Sequence, residues 1–275
     1  MDLNGYIRRR IKGIMGLRFS TEQIEKFKLI EENYDEAFLL SQKKELRQAY
    51  NFNLKGDLAL RDTDDELWSW AIAICWPRSS YFYFKINDFN ESINRVKILL
   101  QCIQELIGEE RDYSLIYLTI QQYHNLARVY FKMLDIEQGI KYAALAINLL
   151  NNRSSSVSHE YNLDNDCIEL SKSFEISFFI QIVAETLFVL YKMKNHDEKI
   201  CNLRFFIESF FIPDRLSDIS SDLKLNQLLT IISKTIALCE YQTSLEYIND
   251  SNFNGDLFPL IEVVNNTITK AINYE

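Results

Sequence analysis

The residues best suited to acid–base chemistry in this sequence are its three histidines, His124, His159 and His196. Because an imidazole titrates near neutral pH, a histidine with a nucleophile or carboxylate at a fixed spacing would predict a catalytic site. His124 lies at helical spacing from Gln121 and Arg128, but no nucleophile accompanies it. We therefore predict that the protein is not an enzyme and that His124 is structural or contacts a partner.

Motifs that hold phosphates, metals or acyl groups are absent from the sequence. It contains no glycine-rich phosphate loop, no H-E-x-x-H and no G-x-S-x-G. The five cysteines are scattered and form no C-x-x-C pair, which argues against a zinc site and a disulfide framework. We expect no cofactor and no metal, and unpaired cysteines favour a cytoplasmic location.

The one pattern that suggests a binding function is an aromatic residue followed by a lysine. The pairs are Phe84–Lys85, Phe131–Lys132 and Tyr191–Lys192. They stand at the same place in three segments, residues 84–93, 131–140 and 191–200, which align without gaps. Each segment is typical of a helix end, a turn at Asp or Asn, and the acidic first turn of the next helix.

These pairs have two interpretations, which the sequence leaves open. In the first, the ring completes helix packing and the lysine offsets the negative end of the helix dipole. In the second, rings and ammonium groups form a row that binds an apolar, acidic segment of another protein. The candidate partner-binding residues are Tyr81, Phe84, Lys85, His124, Arg128, Phe131, Lys132, Phe188, Tyr191 and Lys192.

The elements that would position this row are helices, because the composition disfavours strands and tight turns. Only 7 Gly and 3 Pro occur in 275 residues, of which 47% are hydrophobic, so we predict an all-α fold with a substantial core. The expected helix signals are capping boxes at Ser20–Gln23 and Thr63–Glu66, a helix over 34–50, a loop over 51–62 and a break or restart at Pro77.

The charge is distributed unevenly along the chain. Residues 1–20 contain five basic residues and one acidic residue, a charge of +4, which leaves −13 for the rest of the −9 total. The apolar positions Ile7, Ile11, Ile14 and Leu17 lie on one helical stripe. We predict a first helix packed on the protein; an interfacial helix or a mitochondrial presequence are the alternatives.

The middle segment resembles a tetratricopeptide repeat, a helix–turn–helix unit of about 34 residues. The residues at the family's positions are Tyr123, Leu126, Ala127 and Tyr130 in the first helix, and Gly139, Ala143 and Ala146 in the second. The resemblance is best over residues 120–150 and partial over 76–105 and 181–211. It implies antiparallel helix pairs stacked as a superhelix, with a concave face that binds peptides.

Two departures limit what the resemblance implies. The aligned segments are 47 and 60 residues apart, longer than the family unit, so a compact helical repeat bundle is the alternative architecture. Pro77 and Tyr81 stand where the family's clamp for C-terminal carboxylates has Lys and Asn, so that specificity is not implied. We divide the chain into N-terminal helices over 1–62 and a repeat region over 63–275 with a polar loop at 151–166, or treat it as one continuous domain.

The function predicted from these features is a non-enzymatic protein–protein interaction module, a scaffold or adaptor. The partner would be another protein, either a basic toxin or a peptide segment. The net charge of −9 argues against nucleic acid, and no apolar run reaches the length of a membrane span. One alternative is an immunity protein that neutralises a basic bacterial toxin, and another is a helical enzyme whose site is not visible in sequence.

Overall fold

The computed structural model describes residues 3–110, 113–152, 178, 181–183, 185–187, 189–190 and 192–210. These residues form helices, turns and one 3₁₀ segment at Tyr113–Leu115, and no strand, which confirms the predicted all-α class. Within this part of the chain, no helix has both the length and the apolar character needed to cross a bilayer. The predicted loop at 151–166 lies almost wholly outside the described residues.

Eight helices have defined bounds in the described residues. They are α1 (Leu3–Arg18), α2 (Thr21–Gln42), α3 (Leu46–Arg61), α4 (Asp65–Lys85), α5 (Phe89–Glu110), α6 (Ile116–Lys132), α7 (Ile136–Asn152) and α8 (His196–Phe210). The described chain divides into two compact units, the first ending at Met133 and the second beginning at Leu134. In the first, α2 packs against α3 and α4, α4 against α5, and α5 against α6; in the second, α7 packs against α8. The motif-based division after residue 62 stays a prediction.

Helix α1 packs on the first unit through a stripe shifted from the predicted one. Ile7, Ile11 and Met15 are buried, whereas Leu17 is 93% exposed, so its assignment to the buried stripe is wrong. The reason is the helical period. A step of four residues, as from Ile11 to Met15, turns about 40° around the helix, whereas the two successive steps of three from Ile11 to Leu17 turn about 120°. Lys12 donates to Glu31 of α2 at 2.8 Å, which fixes the helix electrostatically.

Helix α2 begins at the predicted capping box and extends further than expected. The Ser20 hydroxyl accepts from the amide of Gln23 at 3.3 Å, and the Gln23 side chain accepts from the amide of Ser20 at 2.9 Å. The predicted helix over 34–50 is wrong, because the chain turns at Lys43 and a new helix begins at Leu46. Two helices therefore replace one.

The predicted loop over 51–62 is also wrong, because these residues continue α3 to Arg61. Gly56, the glycine within this predicted loop, lies in the helix under the ring of Tyr34. A Cβ at Gly56 would stand 2.9 Å from Cζ of Tyr34, closer than real contacts permit. The glycine serves the close approach of two helices.

Helix α4 corrects two further expectations. Its N-cap is Asp64 rather than Thr63, since the Asp64 carboxylate accepts from the amide of Leu67 at 2.8 Å. Pro77 lies inside the helix and does not end it. Most of the surrounding residues are buried against neighbouring helices, and that packing outweighs the lost backbone hydrogen bond.

The same turn joins α2 to α3 and α4 to α5, which makes these two helix pairs equivalent hairpins. Lys44 and Asn87 adopt positive φ angles of 65° and 61°. The next residue in each turn donates its amide to the carbonyl five residues earlier, Glu45 to Leu40 at 2.9 Å and Asp88 to Tyr83 at 3.0 Å. This pattern is a Schellman helix end. The same turn therefore also occurs one helix pair before residues 84–93, the first of the three aligned segments.

A third residue, Leu134, has the same backbone angle, with φ 65° in the turn after α6. Five positions beyond each positive-φ residue stands a small buried side chain or glycine: Ala49, Ser92 and Gly139. The predicted acidic or amide turn residues also act as helix caps, because Asp88 and Asp135 each accept an amide from the following helix.

Candidate functional site

The most extensively bonded group in the described structure is Arg95 of α5. Its guanidinium donates to both carboxylate oxygens of Asp57 on α3, at 2.7 and 2.8 Å, and to the Ser79 hydroxyl at 2.6 Å. Its Nε donates to Glu91 at 2.7 Å, and Nη2 to the Tyr83 hydroxyl at 3.3 Å. All five N–H groups of the side chain thus have acceptors close by, as burial of a guanidinium with only 7% exposure requires.

Aromatic rings enclose this guanidinium and extend the network to α2. The Arg95 guanidinium carbon lies 4.8 Å from the centroid of Trp76 and 4.6 Å from that of Tyr83. Trp76 donates through Nε1 to the Tyr34 hydroxyl at 3.2 Å, and Tyr34 donates to Asp57 at 2.5 Å. Residues from α2, α3, α4 and α5 therefore meet in one set of polar contacts, here called the Arg95 network.

The electrostatics of the Arg95 network keep its groups in fixed protonation states. Burial alone would lower the pKa of Arg95, but the hydrogen bonds and charge of Asp57 outweigh it and raise the pKa. Burial, reinforced by the negative charge of Asp57, raises the pKa of Tyr34 well above its usual value. The arginine stays charged and the phenol stays protonated, so neither group exchanges a proton near neutral pH. The network is suited to joining helices rather than to acid–base chemistry.

The second feature is a partly exposed group of aromatic side chains, here called the aromatic surface, at the C-terminal end of α4. The ring of Tyr81 lies 4.9 Å from Phe38 and 6.5 Å from Phe84, and Phe84 lies 6.1 Å from Phe89. The Lys85 ammonium stands 5.0 Å from the Tyr81 centroid. Lys85 is exposed, and Tyr81 and Phe84 are half-buried, so three predicted site residues come together here.

The predicted site residues of α6 are placed differently. His124 is 2% exposed and Phe131 9%, so a partner could touch them only after neighbouring side chains moved. Arg128 is half-buried, and Lys132 is exposed at the helix end. Of these four, Lys132 is the residue that a partner reaches directly.

The third aromatic–lysine pair lies only partly in the described structure. Phe188 and Tyr191 are outside the described residues, while Lys192 is exposed just before α8 in the second unit. The turn it precedes is capped as predicted, because the Asn195 side chain accepts the amides of Asp197 at 3.1 Å and Glu198 at 3.3 Å. The continuity of the row from Lys85 to Lys192 stays a prediction.

An acidic pocket of about 370 Å³ lies between α1, α4 and α5. Its lining residues are Arg18, Asp65, Glu66, Ser69, Trp70, Glu105, Leu106 and Glu109. Arg18 forms ion pairs with Glu66 and, at 3.7 Å, with Glu109. In the part of the chain that the structure describes, no cluster of three or more His, Cys, Asp or Glu is arranged to hold a metal ion.

Sequence reasoning missed the Arg95 network because it placed Asp57 in a loop, together with Asn53, whose side chain accepts from the Ser79 hydroxyl at 2.6 Å. A usable signal was the helical spacing of Ala49, Asn53 and Gly56, which resembles that of Gly139, Ala143 and Ala146. With α3 recognised as a helix, Asp57 would have been a polar residue next to a buried face. Its pairing with Arg95, 38 residues away, has no sequence signal.

Comparison of the chain with protein-family models, with curated proteins and with solved structures gives no match.

Proposed function

We propose that the chain is a non-enzymatic protein–protein interaction module that stacks helix hairpins in a tetratricopeptide-like manner, in the cytoplasm. The observation that carries the proposal is the aromatic surface, where the Lys85 ammonium lies over the half-buried ring of Tyr81 beside further aromatic rings at the turn between two helices. Rings of this kind bury large area at low entropic cost when a partner covers them. Lys85 at their edge favours a partner segment that carries acidic as well as apolar groups.

The tetratricopeptide-like part of the proposal is supported by small residues at helix crossings. Ala49 packs with Leu40 of α2, Gly56 lies under the ring of Tyr34 of α2, and the Ser92 hydroxyl donates to the carbonyl of Ser80 at 3.0 Å where α5 meets α4. Small side chains let helix axes approach closely, as that family requires. The Arg95 network stabilises the stack by bonding two consecutive hairpins.

The experiment that tests the binding role places a photo-crosslinking amino acid at position 85. A matched control carries it at Lys97, an exposed lysine on α5. After irradiation in an extract of the source cells, we expect the variant with the probe at position 85 to form a discrete crosslinked product with another protein. The yield of that product from the variant with the probe at position 97 should be lower by at least about tenfold. Equal crosslinking at the two positions, or none at position 85, would contradict the proposal.

A second candidate function, an immunity protein that neutralises a basic toxin, is favoured by the acidic pocket. Four carboxylates, those of Asp65, Glu66, Glu105 and Glu109, surround the single cation Arg18 there. Such a pocket suits a lysine or arginine side chain of the partner. Two variants distinguish the two roles, Glu105→Lys in the acidic pocket and Lys85→Glu on the aromatic surface. If only Glu105→Lys loses partner binding, the partner binds at the acidic pocket.

A further inference from the structure

Helices α2 and α3 both expose large apolar side chains to solvent. Five of the nine large apolar side chains that are exposed in the described residues lie on these two helices. On α3, Tyr50, Leu54 and Leu58 are 50%, 43% and 54% exposed at spacings of four residues, which puts them in one line. Apolar side chains arranged in a line of this kind mark an interaction surface more often than scattered ones do.

The stripe on α3 is bounded by cations. Arg47 and Arg61 are exposed and lie on the same helical face as the apolar residues, one at each end. The acidic residue within the helix, Asp57, is turned toward Arg95 and so does not neutralise this face. We call Arg47, Tyr50, Leu54, Leu58 and Arg61 the basic stripe.

The outer face of α2 has the opposite charge. Glu25, Leu29, Glu32 and Leu39 are exposed and Glu36 is half-buried, and all five lie opposite the buried face of the helix. We call these residues the acidic stripe. When the exposed neighbour Lys28 is included, the net charge of the acidic stripe is −2. When the exposed neighbour Asp62 is included, the net charge of the basic stripe is +1, so the two stripes keep opposite signs.

The two stripes also match in length. Glu25 to Leu39 and Arg47 to Arg61 each span 14 residues, about 21 Å along a helix. Both stripes combine apolar residues with charges, and the charges of the two stripes are opposite in sign. Each stripe is therefore complementary to the other. They belong to adjacent helices of one hairpin and face solvent, so the complementary contact requires a second molecule.

We propose that the basic stripe of one molecule docks on the acidic stripe of a second copy, so that the protein self-associates through its α2–α3 hairpin. This surface is separate from the aromatic surface, which stays available to another partner. Leucine and tyrosine side chains supply the buried apolar area, and the glutamate–arginine pairs set the alignment. Because the ion pairs are exposed at the rim, association weakens as salt is raised.

The test uses two charge-reversal variants of the full chain, Arg47→Glu/Arg61→Glu and Glu32→Lys/Glu36→Lys. Sedimentation velocity over a range of protein concentrations gives the dissociation constant. We expect wild type to associate, and each variant alone to associate at least about tenfold more weakly, a loss of about 1.4 kcal/mol. The control Arg8→Glu/Arg9→Glu reverses two exposed cations on α1 and should associate like wild type. Circular dichroism confirms that all variants remain helical.

The decisive measurement is sedimentation velocity on a mixture of the two variants. A reversed basic stripe on one molecule then meets a reversed acidic stripe on the other, so the mixture should recover a one-to-one species. Three outcomes would each overturn the proposal: a wild type that is monomeric at every concentration, variants that associate like wild type, or a mixture with no recovered species. A partner other than a second copy would give the first of these outcomes.

Discussion

The two hairpins of the first unit, α2–α3 and α4–α5, share one turn geometry but bring their helices together by different means. In α2–α3 the close approach comes from a missing side chain, since Gly56 lies under the ring of Tyr34. In α4–α5 it comes from a hydrogen bond between Ser92 and the backbone of Ser80. The turn is what repeats, whereas each helix interface is packed by its own residues. This difference explains why a repeat can be found at the turns and lost within the helices.

The largest effect should come from the residue that joins the two hairpins. Arg95→Ala leaves the largely buried Asp57 carboxylate without its cation, with the Tyr34 hydroxyl still donating to it, so we expect a loss of about 3–5 kcal/mol in the free energy of unfolding. Lys97 on the same helix is exposed, so Lys97→Ala should change the free energy of unfolding by less than about 0.5 kcal/mol. Urea denaturation measures both, and similar values for the two variants would show that the hairpins do not depend on Arg95.

Glycine substitutions sharpen the contrast between the hairpins. Gly56→Ala should destabilise by about 1–3 kcal/mol, because the ring of Tyr34 is bonded through its hydroxyl and cannot move aside freely. Gly108→Ala, on α5 with nothing within 4 Å of the new Cβ, should stabilise by up to about 1 kcal/mol through helix propensity. Thermal melts measure both effects. If the melting temperatures of the two variants shifted in the same direction, the close contact between Gly56 and the ring of Tyr34 would be refuted.

The helix caps of the two hairpins should differ in pH dependence. Ser20→Ala at α2 and Asp64→Ala at α4 should each cost about 1 kcal/mol at pH 7. The hydrogen bonds from Leu67 and Gln23 lower the pKa of Asp64, so its stabilisation is present above the unfolded pKa near 4 and lost as pH falls through the lower folded pKa.

The loss of unfolding free energy caused by Asp64→Ala should therefore become smaller below about pH 4, while the loss caused by Ser20→Ala stays constant. Unfolding free energies measured from pH 7 to pH 3 would show the divergence. Parallel pH profiles for the two variants would contradict an ionised cap at α4.

The smallest effect concerns the shared turn. Lys44 and Asn87 have the same positive φ, but asparagine tolerates this conformation better than lysine does. Lys44→Gly should stabilise by about 0.5 kcal/mol, and Asn87→Gly should leave stability nearly unchanged. Equal gains from both substitutions, measured by urea denaturation, would mean that the side chain at this position does not matter.

The sequence predicted those features of the fold that depend on neighbouring residues. The capping box at Ser20 and the capped turns after α4 and α6 are local, and the structure confirms them. The errors at Gly56 and Pro77 have one cause, because both residues were interpreted by their propensity alone. In the folded chain, contacts with other helices override that propensity, and a single sequence does not specify them.

The candidate site shows the same limit. Tyr81, Phe84 and Lys85 were predicted from a pattern within a few residues, and the structure brings them together. The Arg95 network needs Tyr34, Asp57 and Arg95 to meet from three helices, and no short pattern encodes that meeting. Long-range pairing of polar groups is therefore the part of this molecule that only the folded structure shows.

The bond between Asp57 and Arg95 also has a consequence for the order in which the protein is made. During synthesis Asp57 precedes Arg95 by 38 residues, so at about 5–20 residues per second the first hairpin waits roughly 2–8 seconds for its cation. Until then the Asp57 carboxylate has the Tyr34 hydroxyl and water as partners, so the ion pair between the two hairpins has not yet formed. The earliest nascent chain able to complete this part of the fold is one in which α5 has left the ribosome.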